Sequence, residues 1–131
     1  MGDHQMPIID NSTIKTFTLP GLVHQTVAGP AHGLKTLEVW VETIAPGAGT
    51  PVHRHDCEEV FVILTGGGQV TLAGQVQDFG PNHTLIVPRG LVHQVVNTGQ
   101  EDMHLVAVLG AAPAGATTPD GQPIPVPWLS D

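Results

Sequence analysis

The run Gly47-Ala48-Gly49-Thr50-Pro51-Val52-His53-Arg54-His55-Asp56-Cys57-Glu58-Glu59, continuing through Val60-Phe61-Val62-Ile63-Leu64 to Gly66, carries most of the information in this 131-residue sequence. In extended chain, residues i and i+2 share a face, so His53 and His55 point together while Val52 and Arg54 point the other way. Glu59 opens an apolar run after a tight turn, a placement that can return its carboxylate to the two imidazoles. About forty residues on, Pro88-Arg89-Gly90-Leu91-Val92-His93-Gln94-Val95-Val96-Asn97 supplies another histidine. Three imidazoles and one carboxylate suit a divalent transition metal, with one or two positions left for water or a ligand. A His-x-His pair alone reads more readily as two solvent-facing loop side chains, because short motifs match by chance. The glutamate and the second histidine block turn that reading towards a metal.

Outward from this run, the chain consists of short apolar stretches cut by turn residues. Leu37, Val39 and Val41 alternate with Glu38, Trp40 and Glu42 and stop at Ala45-Pro46-Gly47. Residues 51–55 form a second extended piece. Residues 60–64 are apolar on both faces, as in a strand buried between two sheets. Gly66-Gly67-Gly68 is expected to close a hairpin onto residues 69–73. Residues 84–87, 91–97 and 103–109 supply three more strands, giving about eight in all and a sandwich or small barrel. Sixteen Gly and twelve Pro exclude a helical bundle, since each destabilises a helix interior. A 40% hydrophobic content excludes a disordered chain, and the length sets one domain. The net charge of −8 repels phosphate backbones and acidic lipid, so neither nucleic acid nor a membrane surface is expected as a partner. Cys57 is the only cysteine, no apolar run reaches membrane-span length, and the first ten residues hold no apolar signal core. A soluble, cytoplasmic protein is the expectation.

The two histidine blocks resemble the paired motifs of the cupin superfamily, met at Gly47, His53, His55, Glu59 and Gly66 and again at Pro88, Gly90, His93 and Asn97. Seven residues separate Gly80 from Pro88 where that pattern has five, so the turn between them is expected to be remodelled. The resemblance implies an all-β fold: a single-domain cupin barrel, the jelly-roll form called a double-stranded β-helix. It also implies His53, His55, Glu59 and His93 as ligands of one divalent metal. Residues 1–30 then pack on or pair with the barrel, 31–110 form it, and 111–131 are an extended tail folding back over the pocket.

Within that superfamily the chain is similar to the auxin-binding proteins of plants over most of its length. The matching stretches are Gly21-Leu22-Val23-His24-Gln25-Thr26-Val27-Ala28-Gly29, Leu37-Glu38-Val39-Trp40-Val41, residues 50–61, residues 93–97 and Pro127-Trp128. In that family the metal is zinc, the auxin carboxylate binds it, and aromatic and small apolar side chains sandwich the ring. The resemblance therefore implies a small aromatic carboxylate ligand such as indole-3-acetic acid, with Thr50 and Pro51 beside it and Trp40 lining the pocket. Trp128 would fold the tail over it, and a homodimer is the expected assembly. Val126 stands where the family has a large aromatic residue, and Glu42 where it has a neutral amide.

The residues leave several points open. Zinc is the favoured ion, but manganese, iron or nickel also suits a mixed His/Glu donor set. Trp40 is either core or pocket wall, and Glu42, two residues on and on the same face, is either a pocket carboxylate or a rim residue in water. Two functions from different classes follow. One is metal-dependent binding of an aryl or indolyl carboxylate. The other is a dioxygenase or decarboxylase of an Fe, Mn or Zn cupin type, with Glu42 or His24 as catalytic proton shuttle. Cys57 has no neighbouring base in the sequence and reads as a bystander to either.

Overall fold

The computed structural model describes residues 8–128. The ends of the N-terminal segment (1–7) and of the tail (129–131) lie outside the described residues. In chain order the strands are β1 (Phe17–Leu19), β2 (Leu22–Ala28), β3 (Glu38–Ile44), β4 (Glu59–Thr65), β5 (Gly68–Leu72), β6 (Gln75–Phe79), β7 (Thr84–Val87), β8 (His93–Val96), β9 (Met103–Leu109), β10 (Ala116–Thr117) and β11 (Pro123–Ile124). Two single 3₁₀ turns, Asn11–Thr13 and Pro30–His32, are the described helical structure. No described helix is long and apolar enough to cross a membrane.

The strands form a six-stranded sheet ordered β1-β2-β3-β9-β4-β7 and a three-stranded sheet ordered β6-β5-β8, with β10 and β11 as a separate pair. Isolated bridges Gly49↔Val96 and His53↔His93 lay the 49–54 segment along β8, and Arg54↔Thr117 carries it on to β10. The smaller sheet is thereby extended into a second wall. Ile44, Ile63, Met103, Leu105 and Leu109 from the large sheet and Val95 from the small one are fully buried.

In β3 the alternation runs opposite to a simple amphipathic strand. Glu38, Trp40, Glu42 and Ile44 are buried, while Val39, Val41 and Thr43 are only half-buried on the outer face. Two carboxylates thus point inward, where burial requires hydrogen-bond partners.

Two sequence expectations are corrected. Gly66–Gly68 does not close a hairpin of residues 60–64 onto 69–73. β4 pairs with β7 and β9, whereas β5 pairs with β6 and β8. The glycines instead carry the chain from one sheet to the other through crowded backbone. A Cβ on Gly66 would sit 2.8 Å from the Asp102 carbonyl, and one on Gly68 would sit 2.0 Å from that of Val96. Nor is β4 buried on both faces: Val60 and Val62 are half-buried and Leu64 is exposed, so only Glu59, Phe61 and Ile63 point inward.

Candidate metal centre

His53 and His93 are brought side by side by backbone pairing. The His53 N–H donates to the His93 carbonyl at 3.0 Å, and the His93 N–H returns a bond to His53 at 2.8 Å. His55 follows His53 by two residues on the same face, and Glu59 enters from the first position of β4 on the opposite sheet. All four side chains are buried, and one donor atom from each lies within 4.8 Å of the others. A single ion reaches donors separated by no more than about twice a metal–ligand distance, ~4–5 Å, and this set meets that limit.

The hydrogen bonds fix which nitrogen of each ring faces the cluster. Nδ1 of His53 lies 2.6 Å from the Pro51 carbonyl, Nδ1 of His55 2.8 Å from that of Gly115, and Nδ1 of His93 2.9 Å from that of Leu91. A carbonyl only accepts, so each Nδ1 carries a proton and donates it. Each neutral ring then turns a lone pair on Nε2 inward, the second-sphere arrangement that prepares imidazole for a metal. Nε2 of His55 and of His93 stand 3.3 and 3.1 Å from the same Glu59 oxygen, Oε1. Lone pairs facing a carboxylate oxygen repel unless a cation lies among them. Nε2 of His55 is sealed from solvent with no hydrogen-bond partner. At His53 a proton is a poor substitute for a cation, because burial and the neighbouring His93 hold it down at about 4, well below the ordinary 6.5. The donor set therefore fits a divalent metal.

This cluster forms one wall of a cavity of about 270 Å³. His53, His55 and Glu59 line it, together with Trp40, Glu42, Thr50, Pro51, Val126 and Trp128. Thr50 is held to β8, its Oγ1 accepting from the Val95 N–H at 3.0 Å. The Trp128 ring stacks on the His24 imidazole with centroids 3.7 Å apart and an 11° interplanar angle, bringing the tail down against β2. His24 is fully buried behind the cavity. Its Nδ1 is 2.7 Å from Oε2 of Glu42 and its Nε2 is 2.7 Å from the Thr26 hydroxyl. His93 meets Glu59 but, like His24, is not among the residues lining the cavity.

Sequence reasoning missed Glu38. Its carboxylate accepts from the Trp40 indole N–H at 2.8 Å and from the Ala114 N–H at 2.8 Å, fixing the Trp40 ring and tying the start of the tail to β3. The signal was present, since Glu38 shares strand parity with Trp40 and Glu42. Phe61, Leu22, Ala114 and Ile124 also line the cavity without having been singled out. Cys57 is buried, and that burial pushes its thiol above the ordinary range, which suits an inert side chain.

A family model described as auxin binding protein matches residues 4–125. Auxin-binding protein 1 of Arabidopsis thaliana is 45% identical over 104 residues, covering 72% of this chain and 52% of the relative. The chain thus spans about half the length of that curated relative. Among solved structures, an RmlC-like cupin from Shewanella frigidimarina superposes with a TM-score of 0.72 at 17% identity, covering 82% of this chain and 93% of that one. A variant of oxalate decarboxylase from Bacillus subtilis gives 0.73 at 18% identity over 80% of this chain and 29% of that one. At such identities the likeness concerns the fold alone, and the fold is that of a cupin. Taken with the buried His/Glu cluster, these matches establish that the chain belongs to the auxin-binding protein family.

Proposed function

We propose that this chain binds a small aryl or indolyl carboxylate, with indole-3-acetic acid the leading candidate, at a divalent metal held by His53, His55, Glu59 and His93. Zinc is the favoured ion. The observation carrying this reading is the set of three imidazoles whose Nδ1 protons are pinned to backbone carbonyls, two of which, His53 and His55, line a small cavity with aromatic walls. A bound cation would supply the attraction for an acid group, strengthened where water is scarce. Trp40, Phe61, Pro51, Val126 and Trp128 offer the apolar surface for a ring, and about 270 Å³ is at the small end of ligand pockets. The enzymatic alternative, a metal-dependent dioxygenase or decarboxylase acting on a small carboxylic acid, draws on Glu42 on the cavity wall and on His24, buried behind it and hydrogen-bonded to it, as a proton shuttle.

The test is calorimetry of indole-3-acetic acid with metal content measured on the same samples. His55→Ala is expected to lose both the ion and the ligand. Unchanged ligand affinity in verified metal-free protein would refute the reading. Product analysis of iron- and manganese-loaded protein in air distinguishes capture from turnover.

A homodimer is proposed from the outer face of the large sheet. Val39, Val41, Val60, Val62, Val106, Val108 and Ile86 form a continuous apolar surface through registered pairs such as Val41↔Val106 and Val62↔Val106. Asp, Glu, Lys and Arg are absent from this face on β3, β9, β4 and β7. On a chain of net charge −8, an uncharged face is where two copies meet with least repulsion.

A further inference from the structure

Glu42 lines the cavity four residues along β3 from Glu38, and Glu38 and Glu59 register with the same residue, Leu109, so Glu42 is displaced along the sheet from the metal cluster. It sits 5% exposed on β3, facing the same cavity as the metal-ligating residues. Oε2 is engaged by Nδ1 of His24 at 2.7 Å, and His24 is itself immobilised by Thr26 on one side and the Trp128 ring on its face. The carboxylate therefore cannot swing away. Its other oxygen, Oε1, has no hydrogen-bond partner among the described residues, and it is absent from the polar atoms that are both sealed and unpartnered. It consequently retains surface towards open space in the pocket.

The role of that oxygen does not depend on where the shared proton lies. If Nδ1 of His24 holds it, Oε1 belongs to a carboxylate; if Oε2 holds it, Oε1 is a carbonyl oxygen. In both cases it only accepts. A ligand that fills the cavity and opposes a lone pair or an apolar edge to Oε1 strips it of water without replacing the bond, which weakens binding by about tenfold or more. A carboxamide at this position would be free of the constraint, because it can turn either its oxygen or its NH₂ to the cavity.

We infer that Glu42, held by His24, is a specificity-determining residue that selects small acids bearing a hydrogen-bond donor, an N–H or O–H, on the ring system remote from the acid group. The inference rests on the metal-anchored binding reading and narrows its ligand class. Indole-3-acetic acid carries such a donor. Benzofuran-3-acetic acid has nearly the same shape with an ether oxygen in place of the N–H, and naphthalene-1-acetic acid has no donor on its ring.

The experiment is calorimetry of the three acids against metal-loaded wild-type protein and metal-loaded Glu42→Gln, at fixed pH and with metal content verified. The expected result is that wild type binds the indole about tenfold or more tightly than either analogue, and that Glu42→Gln brings the three within about threefold. The wild-type ratio tests the inference even if Glu42→Gln fails to fold. Equal binding of all three acids by wild type, or an indole preference undiminished in Glu42→Gln, overturns the inference and leaves the metal-anchored reading intact. Failure of metal-loaded wild type to bind any of the three overturns the binding reading, and the inference falls with it.

Discussion

At the residue scale, His53 shows how placement alone changes the acid–base behaviour of a side chain. Its ring is buried beside His93 and His55, and its proton-bearing form is disfavoured until about pH 4. An unfolded chain takes up that proton near 6.5. Between these values the unfolded state binds more protons, so folding stability rises with pH and is lost as pH falls from about 6.5 through 4. For the metal-free protein the loss is on the order of 3 kcal/mol. Urea midpoints of chelated protein at pH 7, 5.5 and 4 are expected to fall across this window, and His53→Gln to flatten the decline. A midpoint independent of pH over that range would contradict the role given to burial here. The His-x-His pair and Glu59 were legible because strand parity and spacing are written in the sequence. Their hydrogen-bonded tautomers were only partly so. Pro51 and Leu91 each lie two residues before the ring they hold, but Gly115 is sixty residues from His55, a pairing that only the folded tail creates.

At the element scale, the Gly66–Gly68 link illustrates a signal read correctly as a turn and wrongly as a hairpin. Glycine repeats announce tight backbone geometry without saying which strands it joins. Here they let the chain pass between sheets against the carbonyls of Asp102 and Val96. Gly68→Ala is therefore expected to destabilise the protein by on the order of 4 kcal/mol, whereas Gly115→Ala, where an added Cβ meets nothing within 4 Å, should be nearly neutral. Comparison of their thermal midpoints is the measurement. β6 and the β10–β11 pair were not legible for a related reason. Gln75, Gln77 and Asp78 give β6 no apolar alternation, and the tail hairpin is hidden in Pro- and Gly-rich sequence whose strands are two residues long. β3 was visible as a strand, but its polar side turns inward, an inversion that its partners on other elements explain and its own composition does not.

At the scale of the whole molecule, the inner and outer faces of the large sheet divide the work. The inner face, with Trp40, Glu42, Glu59 and Phe61, lines the cavity; the outer face, with its valines, is where the proposed dimer would form. Val106 lies at the centre of that surface, registered with both Val41 and Val62. Val106→Asp is expected to convert a dimeric sedimentation mass to a monomeric one without loss of metal. A wild-type protein that sediments as a monomer at micromolar concentration would remove the dimer from the proposal.

The carbonyl-held imidazoles carry a last consequence. Because the carbonyls of Pro51, Leu91 and Gly115 aim the rings, their orientation is set by backbone hydrogen bonds as well as by any ion the site holds. Loading would then resemble filling a prepared socket, unlike the small metallodomains that collapse only around their ion. If the site holds an ion as proposed, a chelator should remove it without erasing the fold, and exchange would then proceed on the folded molecule.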